Sequence, residues 1–424
     1  MIFVIGDIHG MVKPLERILS KIREYHETVE QVKKIIFIGD YCDHGMYTKE
    51  VIDTLLDLEF PKIFLAGNHD DSLIRFLCKV NITKKRSFRI YLNQEGISNT
   101  FMSLLKETDR FENFYRLQDE YHNCKEEEFD VLYPEQKYMD FFINLKYSHK
   151  ETLNCGYGNV NFRFFHGLPR IDQTLDEQSP LTFDDFESYM RKEFKQFDDI
   201  LISWEKQYRK SFSKFSFPIS DIFSPEFTFI WHRIYNFKYA YEGDVIIHGH
   251  TPTIVFNKIF VNHGSLVPPF YQSLFNKYKN ESRLPFLFSR DQNAGYSEIP
   301  EINGKNENCV FSCGKHSSIE AINVDTGSVY RGGALTALGL SEKNMANNEL
   351  VVLTALTLPS DEPQRESSIL DEKKLLSSIP ENPEVILRTI KIGRLGADIS
   401  DPKRNPTFPF EKFRTTNDVF KIDK

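Results

Sequence analysis

Three times within residues 1–70 a short apolar run ends in glycine and then a polar residue. Ile2 to Ile5 leads into Gly6-Asp7, Ile35 to Ile38 into Gly39-Asp40, and Ile63 to Ala66 into Gly67-Asn68. Between the runs lie stretches with helical spacing: Val12, Leu15, Ile18, Leu19 and Ile22 in residues 11–25, then Val51, Ile52, Leu55, Leu56 and Leu58. The rhythm is strand, helix, strand, helix, strand, and right-handed crossovers make it a parallel sheet. The C-terminal ends of such strands share one edge, where ligands bind in open α/β folds. Asp7, Asp40 and Asn68 each stand just past a strand end, so three separate segments are predicted to meet there. The fold class is α/β.

Farther on the rhythm changes. From about 80 to 160 no strand is expected; Tyr138, Phe141, Phe142 and Leu145 recur at helical positions, and Phe101 to Leu117 reads as helix. Residues 183–204 carry the clearest amphipathic stripe, Phe183, Phe186, Met190, Phe194, Phe197, Leu201 and Trp204, with Thr182 as N-cap. Such a stripe points to packing between helices. Strands return at Phe162–Phe165, Val245–Ile247 and Ile319–Val324, while residues 265–315, rich in Pro, Asn, Ser and Gly, read as a long loop or insertion. The expected layout is one domain over 1–360, with insertions at about 80–160, 170–230 and 265–315, then a polar extension over 361–424 with a mobile end.

Composition narrows the function. With 37 Phe and 19 Tyr in 424 residues, material for a large core is ample. A net charge of −8 argues against a general nucleic-acid binder, which needs a basic face. No run approaches the ~20 apolar residues of a membrane span, and Met1-Ile2-Phe3-Val4-Ile5 is too short for a signal peptide. Six cysteines at irregular spacing do not form a disulfide framework. Cys309, Cys313 and His316 lack a second pair of ligands for a zinc site. A reduced, cytoplasmic enzyme is the expectation.

The polar residues then form a series. Gly6-Asp7-Ile8-His9-Gly10, Gly39-Asp40-Tyr41-Cys42-Asp43-His44-Gly45 and Gly67-Asn68-His69-Asp70 are followed by Phe165-His166-Gly167 and His248-Gly249-His250-Thr251-Pro252. Each follows a predicted strand. Asp7 and His9, two apart, can point the same way and chelate one ion. Mixed carboxylate and imidazole donors suit Mn, Fe or Zn better than Ca. One such string would be weak evidence; five in order are strong.

The series resembles the calcineurin-like metallophosphoesterases, and within them the phosphoprotein phosphatase branch, which includes protein Ser/Thr phosphatases and symmetrical diadenosine tetraphosphatases. The motifs cover 6–70, resume at 164–170, 230–233 and 246–252, and end with Ile322-Asn323-Val324-Asp325-Thr326-Gly327 and the following Gly332, Gly333 and Leu335-Thr336-Ala337-Leu338. The resemblance implies a layered fold of β-sheets flanked by helices, here with helical insertions. It also implies two divalent or trivalent metal ions. Asp7 and His9 would hold the first, Asp40 would bridge both, and Asn68, His166 and His250 would complete the second. His248 is expected to be a packed neighbour, and Pro252 stands where other branches place a further histidine. His69 would protonate the leaving group, oriented by Asp43, and Arg233 would grip phosphate. His44 stands where the family usually has arginine, so one phosphate contact loses its fork.

The function implied is hydrolysis of phosphomonoesters by a hydroxide bridging two cations about 3.5–4 Å apart. The substrate expected is a phosphorylated protein or a small phosphoester. A nucleotide hydrolase of the diadenosine tetraphosphate type is the alternative, and a non-catalytic scaffold with a phosphatase fold is the third reading. Neither a nucleic-acid nor a membrane partner is expected.

Overall fold

The computed structural model describes residues 1–78, 88, 96–105, 108–167, 244–253, 284–289, 295–298, 308–312, 318–330, 333–362 and 385–395. The opening rhythm is present: β1 (Ile2–Ile5), α1 (Val12–Thr28), β2 (Lys34–Phe37), α2 (Thr48–Leu56), β3 (Lys62–Phe64) and α3 (Asn68–Cys78). Beyond these come α4 (Ile97–Leu104), α5 (Thr108–Asp119), a 3-10 turn at Glu126–Leu132 and α6 (Gln136–Ile143). The strands β4 (Ser148–Asn154), β5 (Asn159–Phe165) and β6 (Asp244–His248) follow. The rest are β7 (Phe286–Ser289), β8 (Gly295–Glu298), β9 (Asn308–Ser312), β10 (Ser318–Asn323), β11 (Ala334–Leu340), α7 (Glu342–Ala346), β12 (Glu349–Leu356), β13 (Ile386–Lys391) and β14 (Arg394–Leu395).

Two sheets organise them. The first runs β3-β2-β1-β11-β12-β13-β9-β8, and the second β14-β10-β6-β5-β4 with β7 added beside β10. Strands β1, β2 and β3 pair in parallel, as the crossovers require, while β11 lies antiparallel to β1. In the second sheet β5, β6 and β10 are parallel neighbours. One apolar cluster spans both sheets, from Phe3, Val4 and Ile36 to Phe162, Ile247 and Ile322. Helix α1 turns its buried stripe of Leu15, Ile18, Leu19 and Ile22 inward and packs on β11 and β12. The fold is the layered α/β arrangement that the motifs implied.

Several local expectations fail for physical reasons. Strand β4 falls in a region read as strandless, because Ser-His-Lys-Glu-Thr-Leu-Asn is polar and lies at the sheet edge. Residues 265–315, read as a long loop or insertion, contain β7, β8 and β9 and are therefore not a continuous loop; four- and five-residue strands leave little periodic signal. Strand β13, inside the segment read as a polar extension, is inserted between β12 and β9. The helix expected over Phe101 to Leu117 is two helices, the first closed by Leu105. The amphipathic stretch 183–204, Arg233, Cys313 and His316 lie outside the described residues. Among the described residues, no helix is long and apolar enough to cross a membrane.

Candidate metal centre

The loops after β1, β2, β3, β5 and β6 bring five of the sequence-predicted strings to one place. The carboxylate of Asp40, just past β2, lies at its middle. Its Oδ2 is 3.3 Å from His9 Nε2 on one side and 3.4 Å from His166 Nε2 on the other. The first group is Asp7, His9 and Asp40, and the second is Asp40, His166 and His250; within each, one donor atom per residue lies within 4.8 Å of the others. Asn68 joins the second group through Oδ1, 2.9 Å from His166 Nε2. All six predicted ligands therefore converge, and Asp40 is common to both groups.

The backbone is bent to make this possible. Non-glycine residues with positive φ among the described residues are His9, Asp40, Asp43, His44, His250, Asn348 and Glu362. Five of these belong to the site, where strained conformations hold side chains in a functional arrangement. Two glycines leave room for the carboxylates. A Cβ at Gly67 would collide with Asp40 Oδ1, and one at Gly249 with Asp7 Oδ1. Backbone donors complete the cradle: His250 N–H reaches Asp7 Oδ2 at 2.9 Å, and His69 N–H, at the start of α3, reaches Asp40 Oδ1 at 3.0 Å.

Electrostatics separate the two central carboxyls. Burial, with the nearby charges of Asp325 and Asp40, pushes Asp7 well above the usual carboxylate range. Burial works against Asp40 as well, but His166, His9 and His69 outweigh it and hold its carboxyl well below that range. Asp7 Oδ1 and Asn68 Nδ2 are buried without a hydrogen-bond partner among the described residues. An orphaned carboxylate oxygen facing imidazoles is what a cation would satisfy. The outer nitrogens of two rings are already held, His9 Nδ1 3.0 Å from Cys42 O and His166 Nδ1 2.9 Å from Ile38 O. Metal-binding histidines are commonly oriented in this way. The residues present fit a pair of cations with mixed oxygen and nitrogen ligands.

Beside this centre His69 Nδ1 lies 2.8 Å from Asp43 Oδ2. Burial alone would discharge His69, but Asp40 and Asp43 outweigh it and raise its pKa. His44 is buried, its ring edge-on to both His9 and His69. His248 is the packed neighbour the sequence suggested: its Nδ1 is 2.9 Å from Gly249 O, and burial pushes its pKa down to about 3.

Three further residues shape the site. Asp70 accepts backbone N–H bonds from Asp40 (2.7 Å), Tyr41 (3.0 Å) and Gly67 (2.8 Å), tying the β2 loop to the β3 loop. Its carboxyl is pushed up to about 7 by burial and by Asp40, against those donors. Thr100 on α4 donates to Asp43 Oδ1 at 2.6 Å and accepts from Asp43 N at 2.7 Å. Asp325 stands against Asp7 from the end of β10. Asp325 obeys the same rule of an acid just past a strand that marked Asp7, whereas Asp70 stands inside the first turn of α3. Thr100 carries no sequence signal, because the insertion before it hides its destination.

The sequence profile of the calcineurin-like phosphoesterases matches residues 1–253. An uncharacterised protein of Caenorhabditis elegans is 35% identical over 117 residues, 23% of this chain and 45% of that protein. The asymmetrical bis(5'-nucleosyl)-tetraphosphatase PrpE of Anoxybacillus flavithermus is 32% identical over 85 residues, 19% of this chain and 35% of that enzyme. The chain thus spans less than half the length of these two relatives. A solved metallophosphoesterase from Sphaerobacter thermophilus aligns over 89% of this chain and 98% of its own at 12% identity, with a TM-score of 0.32. With its motifs in order and a profile match over more than half its length, the chain belongs to the calcineurin-like phosphoesterases.

Proposed function

We propose that the chain hydrolyses phosphoric monoesters with two metal ions, acting as a protein Ser/Thr phosphatase-like enzyme. The observation that supports this most is the position of Asp40, whose one carboxylate oxygen is 3.3 Å from His9 and 3.4 Å from His166. Two cations bound there would supply charge neutralisation for a phosphoryl group and an acidified water.

The chain's own residues do the rest. Asp7 and His9 would hold one side of the centre, Asn68, His166 and His250 the other, and the lowered pKa of Asp40 keeps its carboxyl ionised at neutral pH, ready to serve both sides. His69 holds a proton for the leaving oxygen, and Asp43, fixed by Thr100, fixes the ring. The pairing parallels the carboxylate that orients a catalytic imidazole in hydrolases. His44 offers a single contact to a phosphoryl oxygen where arginine would offer two.

A second reading, hydrolysis of a dinucleoside polyphosphate, is favoured by the relatives called bis(5'-nucleosyl)-tetraphosphatases. The test is turnover by the Mn(II)-loaded chain of p-nitrophenyl phosphate, phosphoserine and phosphothreonine peptides, and diadenosine tetraphosphate. Turnover of the first two supports the monoesterase, and preference for the last supports the second reading. Failure on all three with metal bound would overturn both.

A further inference from the structure

We propose that His9, His44 and His69 form a trihistidine site for a borderline cation such as Zn(II), Ni(II) or Cu(II), and that this site competes with the dinuclear centre for His9. The three rings make a nearly equilateral triangle, with centroids 4.7 Å apart for His9 and His44, 5.0 Å for His9 and His69, and 4.9 Å for His44 and His69. One nitrogen from each lies within 4.8 Å of the other two. Around a tetrahedral zinc the nitrogens would stand roughly 3.3 Å apart, so small ring rotations close the site.

Two of the rings are already oriented as ligands. His9 Nδ1 is held against Cys42 O at 3.0 Å and His69 Nδ1 against Asp43 Oδ2 at 2.8 Å, which turns Nε2 of each to the ligating role. His44 is placed from the other side. It sits in the left-handed region at φ 60, next to Asp43 at φ 66, and Asn99 Nδ2 donates to its carbonyl. A Cβ on Gly96 would collide with His44 N, so the turn that opens α4 presses against this residue. The fold thus accepts backbone strain to set a third imidazole beside two oriented ones.

The donor sets differ in kind. Three imidazole donors favour Zn, Ni and Cu, whereas Asp7, His9 and Asp40 form an oxygen-rich set that suits Mn. The two uses of His9 exclude each other, because the Nε2 that a trihistidine ion needs is the one 3.3 Å from Asp40. A cation there also takes the Nε2 lone pair of His69. The inhibition that follows rests on the phosphoesterase reading; the cation binding does not.

The two are tested separately. In Asp40→Asn the dinuclear centre loses its shared carboxylate while all three rings remain. Equilibrium dialysis of this variant against Zn(II) should find one tight zinc per chain. Adding His44→Asn should weaken it by roughly a hundredfold, as loss of one ligand in three implies. Asn tolerates the left-handed backbone at 44, and His44→Gln in the same background serves as a second check. Co(II) bound to Asp40→Asn should show the visible bands of a four-coordinate, nitrogen-rich site. With Mn(II)-supported p-nitrophenyl phosphate turnover as a separate readout, Zn(II) should inhibit the unmodified chain at a concentration at least about tenfold below that needed for His44→Asn. No tight zinc in Asp40→Asn, or equal affinity with and without His44, would overturn the proposal whatever the enzyme hydrolyses. Tight zinc without any Mn(II)-supported turnover would leave the site standing and overturn the functional reading alone.

Discussion

The first sheet sends chiefly oxygen ligands to the centre, whereas the second sends imidazoles. Asp7, Asp40 and Asn68 follow β1, β2 and β3, three neighbours in one sheet, while His166 and His250 follow β5 and β6, two neighbours in the other. Each set meets the opposite one across Asp40, whose pKa burial would raise but His166 of the second sheet, with His9 and His69 of the first, lowers. Neither sheet alone offers a complete ligand set. Both sheets converge on the Asp40 carboxylate, and Asp70 ties the loops after β2 and β3 to each other.

That difference can be broken at Asp70. Asp70→Asn leaves the candidate ligands in place but replaces one of the two oxygens that accept from three backbone N–H groups of the first sheet's loops by an NH2 group. We expect a loss of about 3 kcal/mol in unfolding stability, read by denaturant titration, and weaker metal binding. An equal loss with metal affinity unchanged would mean that Asp70 serves the fold and not the centre.

His69 lies on the oxygen side of the site, and in the proposed reaction it would act on the leaving group. His69→Ala should slow hydrolysis of an alkyl phosphate by roughly 100- to 10,000-fold, the usual range for a positioned acid. It should slow p-nitrophenyl phosphate far less, because nitrophenolate leaves without a proton. Equal losses on both substrates would assign His69 to structure. His44→Arg should lower KM for phosphomonoesters several-fold, measured at neutral pH, since a fork replaces a single contact.

The smallest effect lies far from the centre, on the edge strand β4. There Glu151 is paired with Lys34 and with His149 at 2.6 Å. Burial works against the Glu151 charge, but Lys34 and His149 outweigh it and lower its pKa. A lowered carboxylate pKa gives stability that is present above the unfolded value of roughly 4.3 and lost as pH falls through the folded value. Glu151→Gln should therefore cost about 0.5 kcal/mol at pH 7 and flatten the acid limb of the stability curve below that value. An unchanged acid limb would remove the pair from the account.

Legibility in the sequence follows the same division. The first sheet's candidate ligands could be read because each of the first three apolar runs is short and closed by Gly with Asp or Asn. His166 and His250 were legible from their glycine neighbours, although long insertions separate them. Strand β13 was not, since Ile-Leu-Arg-Thr-Ile-Lys alternates weakly inside a polar stretch and gains its place only by pairing with β12 and β9. Thr100 was illegible for a related reason: a hydroxyl on one helix says nothing about which carboxylate it will meet. Asp325 was within reach, because it follows β10 as Asp7 follows β1.

Metal content of the unmodified chain and of Asp40→Asn, after loading with Mn(II) and removal of the excess, tests the shared bridge most directly. Two ions per chain are predicted for the first, with loss of both the pair and p-nitrophenyl phosphate turnover in the second. A variant that keeps two ions and full turnover would contradict the account.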